Sequence, residues 1–297
     1  MPRKRSHRSR KKRSRAPQII AGLLVFFLVL GAAFIVWLSK QSPSDAAEYA
    51  DAELSPEAVE EKPQDFAQPA QSVSEIVDRY IAVQGGVDEI NKISSLRFIG
   101  VIREAGEEIE FDQLRKAPNL YRFTLERDGR ELRTTTNGKQ VWRELVGREA
   151  TYEIVGQEAE DFINSAPILE KIWTQRNVPG ALKLLEDQPL DGKMHHRISV
   201  KLAGGGKEVY WIDNKSYLES RKEKFNAKGD RITLFEFSDF RPVGTMNIPF
   251  FVAITNEGAP TTEVTINKAE MNVGVFSSFF EPPKQLLPWP EKETAAN

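Results

Sequence analysis

Residues 119–146 read NLYRFTLERDGRELRTTTNGKQVWRELV, and this stretch decides the fold. Tyr121, Phe123 and Leu125 alternate with Arg122, Thr124 and Glu126. That period of two puts apolar side chains on one face of a strand and polar ones on the other. Asp128-Gly129 and Asn137-Gly138 are tight-hairpin signals, so strands are predicted over 119–127, 130–136 and 139–146. An antiparallel meander with a single wet face follows.

The same pattern extends in both directions. Upstream, SLRFIGVIR (95–103) and EEIEFDQLRK (107–116) read as strands. Downstream, strands are expected over 181–188, 194–202, 207–213, 216–225, 231–240, 247–256 and 261–272, punctuated by Asp213-Asn214, Lys228-Gly229-Asp230 and Gly258-Ala259-Pro260. Two segments break the alternation. Ser72 and Glu75 fit a capping box ahead of Val73, Ile76, Val77, Tyr80 and Ile81 at helical spacing, and Gly85-Gly86 ends that helix. Phe162, Ile163, Leu169, Ile172 and Trp173 are also spaced like a helix, which Pro167 divides. The predicted class is mainly β (α+β): a single curved antiparallel sheet forming an unclosed β-barrel with lid helices.

The N-terminal region is of another kind. Residues 19–38 hold no charge, and fourteen of the twenty are Leu, Ile, Val or Phe. At roughly 1.5 Å per residue the run matches a bilayer's hydrocarbon core. It is longer than the apolar part of a cleaved signal peptide, so residues 18–39 are expected to form an uncleaved transmembrane signal anchor. Nine of the chain's 41 Lys and Arg precede it, which leaves 32 bases against 43 acids beyond residue 15. The positive-inside rule then makes residues 1–17 a cytoplasmic tail and puts the rest outside, at the inner membrane on its periplasmic or extracytoplasmic side. No aromatic residue is interleaved with those bases, so they read as a topology signal and no nucleic-acid partner is expected. Residues 40–71, acidic and carrying Pro43, Pro56, Pro63 and Pro69, read as a disordered stalk. A folded domain is expected over 72–285 and a short tail over 286–297.

Catalytic and metal constellations are sparse. The chain has no cysteine, which removes disulfides, thiol chemistry and thiolate metal sites. His195 and His196 are adjacent in a predicted strand and so point to opposite faces, a poor chelating pair. Gly204-Gly205-Gly206 is not followed by a helix and reads as a hairpin tip. Asp and Glu are scattered over faces predicted to be wet. No enzyme activity, metal or cofactor is expected.

The opening VDRYIAVQGGVDEINKISSLRFIGVI (77–102), the central LKLLEDQPLDGKMHHRISVKLAGGGKEVYWIDNKSYLESRKE (182–223), FSDFRPVGTMNIPF (237–250) and VTINKAEMNVGVFSSFFEPP (264–283) resemble, in order and spacing, the periplasmic lipoprotein-carrier (LolA/LolB-like) superfamily, which includes outer-membrane lipoprotein-sorting proteins. The resemblance implies a half-barrel whose concave apolar face accepts acyl chains beneath helices, without catalysis. A tethered chain departs from carriers that are released, so two readings compete. One is a membrane-anchored binder of a lipid or lipoprotein, in sorting or lipid transfer. The other is an envelope sensor or scaffold that binds a protein partner. An acyl chain of about sixteen carbons gains on the order of 10 kcal/mol gross on burial. The candidate cavity-lining residues are Phe98, Phe111, Tyr121, Phe123, Leu125, Trp142, Trp211, Phe235, Phe237 and Phe251.

Overall fold

Fourteen strands hydrogen-bond into one sheet among the residues that the computed structural model describes, 71–147 and 150–289. The basic tail, the apolar run at 18–39, the stalk up to residue 70 and the end of the chain from 290 lie outside the described residues. Among the described residues no helix is long and apolar enough to cross a membrane.

The strands are β1 (Ser95–Glu104), β2 (Glu107–Lys116), β3 (Leu120–Arg127), β4 (Arg130–Thr136), β5 (Val141–Leu145), β6 (Thr151–Ile154), β7 (Leu182–Leu190), β8 (Lys193–Lys201), β9 (Lys207–Asp213), β10 (Glu219–Phe225), β11 (Arg231–Val243), β12 (Met246–Asn256), β13 (Thr262–Met271) and β14 (Leu287–Pro288). Their spatial order is β14-β6-β5-β4-β3-β2-β1-β13-β12-β11-β10-β9-β8-β7. β7 and β14 are the two margins, so the curved sheet does not close. Two antiparallel meanders, β1–β6 and β7–β13, join where β1 pairs with β13. The predicted meander is present in register: Tyr121 faces Thr136, and Leu125 faces Leu132. Asp128 and Gly129 both take positive φ, the left-handed pair that a two-residue hairpin turn needs.

Two strands were not expected from the alternation, and both are short. β6 has four residues and β14 two, too few to display a period. They also correct the expectation of a wholly antiparallel sheet, because β14 pairs with β6 in parallel.

Four helices cover the sheet: α1 (Val73–Ala82), α2 (Val87–Ile90), α3 (Gln157–Asn164) and α4 (Lys171–Thr174). α1 begins with the expected capping box, and its buried face of Ile76, Val77, Tyr80 and Ile81 joins Ile198, Val200, Tyr210 and Ile212 of β8 and β9 in one cluster. The segment at 157–175 is interrupted at Pro167, which separates α3 from α4. A larger cluster covers β1–β3 and β11–β13. Gly100 stands at the irregularity between β1 and β13, directly opposite Phe111. A side chain there would run into the Thr265 carbonyl and the Phe111 ring.

The convex face is wet and ion-paired. Arg97–Asp112 and Arg103–Glu108 join neighbouring strands at 2.6 and 2.7 Å. Such partly exposed pairs contribute little each, and their main effect is to keep this face polar. The C-terminal segment crosses it before reaching β6. Lys116 donates to the Val275 carbonyl at 2.6 Å, and the Arg122 guanidinium donates to the Phe279 carbonyl and lies over the Phe279 and Phe280 rings.

Candidate functional site

Cross-strand register decides which side chains share the concave face. One row across the sheet runs Ile154, Val141, Thr136, Tyr121, Arg115 and Leu96. A second runs Leu184, Ile198, Tyr210, Lys222, Phe235 and Ile254. Between these rows and the covering helices lies an apolar cavity of about 80 Å³. Phe98, Phe111, Ile168, Phe237, Val252 and Ile266 form much of its wall.

Of the residues selected from sequence, Phe98, Phe111 and Phe237 line this cavity, while Tyr121, Phe123, Leu125 and Phe235 are buried in the same cluster beside it. Phe111 stacks on Phe123 at 6.0 Å, and Phe235 on Phe237 at 6.3 Å. Trp142, Trp211 and Phe251 require correction, because the register puts all three on the convex face. Trp142 pairs with Thr135, the partner of Arg122. Phe251 pairs with Ser238 and Thr265 and is half-buried. Trp211 pairs with Arg197 and Arg221, whose guanidinium groups lie 4.5 and 5.4 Å from its ring, and its indole N–H donates to Glu223 at 2.9 Å. Each is a large aromatic on a strand, a property that does not tell one face from the other. Trp142 and Trp211 are buried even so.

Glu170 and Glu219 line the cavity and belong to a larger group of charges beside it that the alternation assigned to solvent. Lys222 is 2 % exposed and makes an ion pair with Glu170 at 3.2 Å. Its ammonium also stands 5.3–5.6 Å from the ring centres of Tyr210, Phe235 and Phe237. Lys171 pairs with Glu208 at 3.2 Å, and the Tyr210 hydroxyl donates to Glu208 at 2.8 Å and to Glu170 at 3.3 Å. The Tyr80 hydroxyl, from α1, donates to Glu219 at 3.2 Å. Burial pushes the Glu219 carboxyl up to about 8, against the pull of Lys222. Burial likewise brings the Lys224 ammonium down to about 8 and raises Asp161 to about 6. Glu208 is held below the ordinary range: burial opposes this, but Lys222 and Lys171 outweigh it.

Polar contacts also hold the covering segment to the sheet. Arg115, fully buried, donates to the Pro167 carbonyl at 3.0 Å and stacks over Tyr121 at 4.9 Å. Phe162 stacks on Tyr121 at 4.6 Å, and Arg143 pairs with Glu158 at 2.6 Å. At the other rim, Asn247 donates to the Val83 carbonyl at 2.7 Å and Gln84 accepts from the Asn247 N–H at 2.9 Å, fastening the end of α1 to β12.

The buried charges were partly visible in sequence. β10 reads ESRKEKF, a strand with one apolar residue and five charged ones in the interior of the sheet. A strand polar on both faces must either stand at an edge or bury charge. The histidines are accounted for locally: buried His195 bonds the Lys193 carbonyl and Ser220 hydroxyl at 2.9 Å, and His196 meets Asp187 at 2.9 Å on the other face. Gly204–Gly206 forms the β8–β9 hairpin tip, closed by Leu202 N–H donating to Gly206 O at 2.9 Å.

No family model matches the chain, and no curated protein matches it in sequence. Solved structures do. A DUF1329 family protein from Desulfovibrio piger superimposes with a TM-score of 0.52 at 12 % identity, over 70 % of this chain and 97 % of its own. A LolA superfamily protein from Nitrosomonas europaea superimposes with a TM-score of 0.51 at 10 % identity, over 72 % of this chain and 99 % of its own. The chain has a LolA-like fold.

Proposed function

We propose that the chain is a non-catalytic binder of acyl chains, those of a lipid or lipoprotein, held at the inner membrane by residues 18–39 with its β domain on the far side. The observation that carries this reading is the apolar cavity between the concave face and the segment 157–174, in a fold shared with a LolA superfamily protein. At about 80 Å³ it has roughly half the free volume of an engineered cavity of ~150 Å³ that binds benzene, room for a few carbons only. A long chain therefore enters by displacing the covering segment. The drive is about 0.8 kcal/mol per buried methylene, so a dozen methylenes supply on the order of 10 kcal/mol gross. Against that stand the polar contacts of Arg115, Glu170 and Lys171 and the apolar packing of Phe162, Ala166, Ile168, Leu169, Ile172 and Trp173.

The test is binding of an apolar naphthylamine fluorophore to the full chain at micromolar concentration and its displacement by phospholipids or long-chain alcohols. A wild-type chain that leaves the probe unbound refutes acyl-chain binding and supports the scaffold reading instead. Topology has a separate test: a periplasm-active reporter fused after Asn297 gives signal, and signal from a cytoplasm-only reporter overturns the orientation.

A further inference from the structure

One carboxylate oxygen at the cavity wall has nothing to bond. Glu219 lines the cavity, is 8 % exposed, and gives its Oε2 to the Tyr80 hydroxyl. Its Oε1 is buried with no hydrogen-bond partner. Buried polar groups in folded proteins are nearly always paired, so an orphan beside a cavity marks a place where a partner is brought in. The neighbouring cation does not fill the role: the Lys222 ammonium bonds Glu170 and makes no hydrogen bond to this oxygen. The backbone shapes the position too: the β9–β10 register shifts between Glu219 and Arg221.

We propose that Glu219 Oε1 accepts a hydrogen bond from the uncharged polar end of the ligand, a hydroxyl or amide N–H at the head of a long hydrocarbon chain. This rests on the acyl-chain reading of the cavity. Charge decides the class of head group. Glu170, Glu208 and Glu219 oppose an entering carboxylate, while Lys222 opposes an entering ammonium, and either ion would lose its hydration in an apolar cavity. A neutral donor meets neither obstacle. Because burial keeps Glu219 protonated up to about pH 8, ligand displacement is measured at pH 9, where both carboxylate oxygens accept.

The experiment measures displacement of the naphthylamine probe from the full chain by dodecanol, by its methyl ether and by dodecanoate. The ether is the more apolar molecule but lacks the donor. Dodecanol is expected to displace at about tenfold lower concentration than the ether, the worth of one such bond. Glu219→Leu should bring the two within about twofold, and Glu219→Gln, which keeps an acceptor, should retain the preference and admit dodecanoate better. Equal displacement by alcohol and ether in the wild type overturns the proposal even if Glu219→Leu fails to fold. An undiminished preference in Glu219→Leu does the same. Absence of probe binding to the wild type removes the acyl-chain reading itself, whereas probe binding without head-group preference removes only this inference.

Discussion

Replacing Glu219 by glutamine should change how stability depends on pH, and the structure gives the size. In the folded chain this carboxyl titrates near 8, against an ordinary value of 4.5, because it is buried. Between those two values the folded chain holds a proton that the unfolded chain has released. Stability from this group is therefore greatest below about 4.5, declines across the window, and levels off above about 8. Each unit is worth ~1.4 kcal/mol, so the whole window amounts to about 5 kcal/mol as an upper figure. Glutamine cannot titrate, and it preserves an acceptor for Tyr80. Urea unfolding followed by tryptophan fluorescence, at intervals from pH 5 to 9, should show the variant gaining on the wild type by ~1 kcal/mol per unit and then running parallel. Asp161, raised to about 6, titrates in both chains and cancels in the difference; Lys224, depressed to about 8, adds stability only as pH rises above that. Wild-type and variant curves that stay parallel from pH 5 to 8 would refute a buried, proton-holding Glu219.

Three further outcomes are expected. Lys222→Met leaves Glu170 and Glu208 without their buried cation and should cost about 3–5 kcal/mol, part of it recovered by adding Glu170→Gln; a loss under about 1 kcal/mol in urea unfolding contradicts the ion cluster. Arg115→Met removes the donor to the Pro167 carbonyl, a charged hydrogen bond worth about 1.5–3 kcal/mol, so amide exchange between residues 160 and 174 should accelerate while β8 and β9 keep their protection; uniform acceleration means the segment does not open by itself. Phe251→Ala, on the convex face, should leave probe affinity within about twofold, whereas Ile266→Asp at the cavity wall should abolish it; the reverse pattern overturns the face assignment.

Much of the architecture is legible in the chain because strand alternation and hairpin turns are local. Tyr121, Phe123 and Leu125 declare their face through their own neighbours, and Asp128-Gly129 fixes the next strand's register through positive φ at two adjacent residues. The capping box at Ser72 and Glu75 and the break at Pro167 are local in the same way. A large aromatic such as Trp142 or Trp211 gives no comparable sign, since either face of a strand can bury it when something crosses above. The aromatic rings at 279–280 cross the face that Trp142 shares with Arg122, and two arginines enclose Trp211.

The sequence by itself determined the strand pattern, the curved mainly β class and the apolar stretch at 19–38, because each depends on spacing within a few residues. Only the tertiary structure decided that Glu208, Glu219 and Lys222 are buried together beside the half-buried Glu170, although they come from the covering segment, β9 and β10. The physical reason is that a lone charge cannot leave water, but a charge whose partner arrives from a distant strand can. No pattern along one strand records which partner that will be.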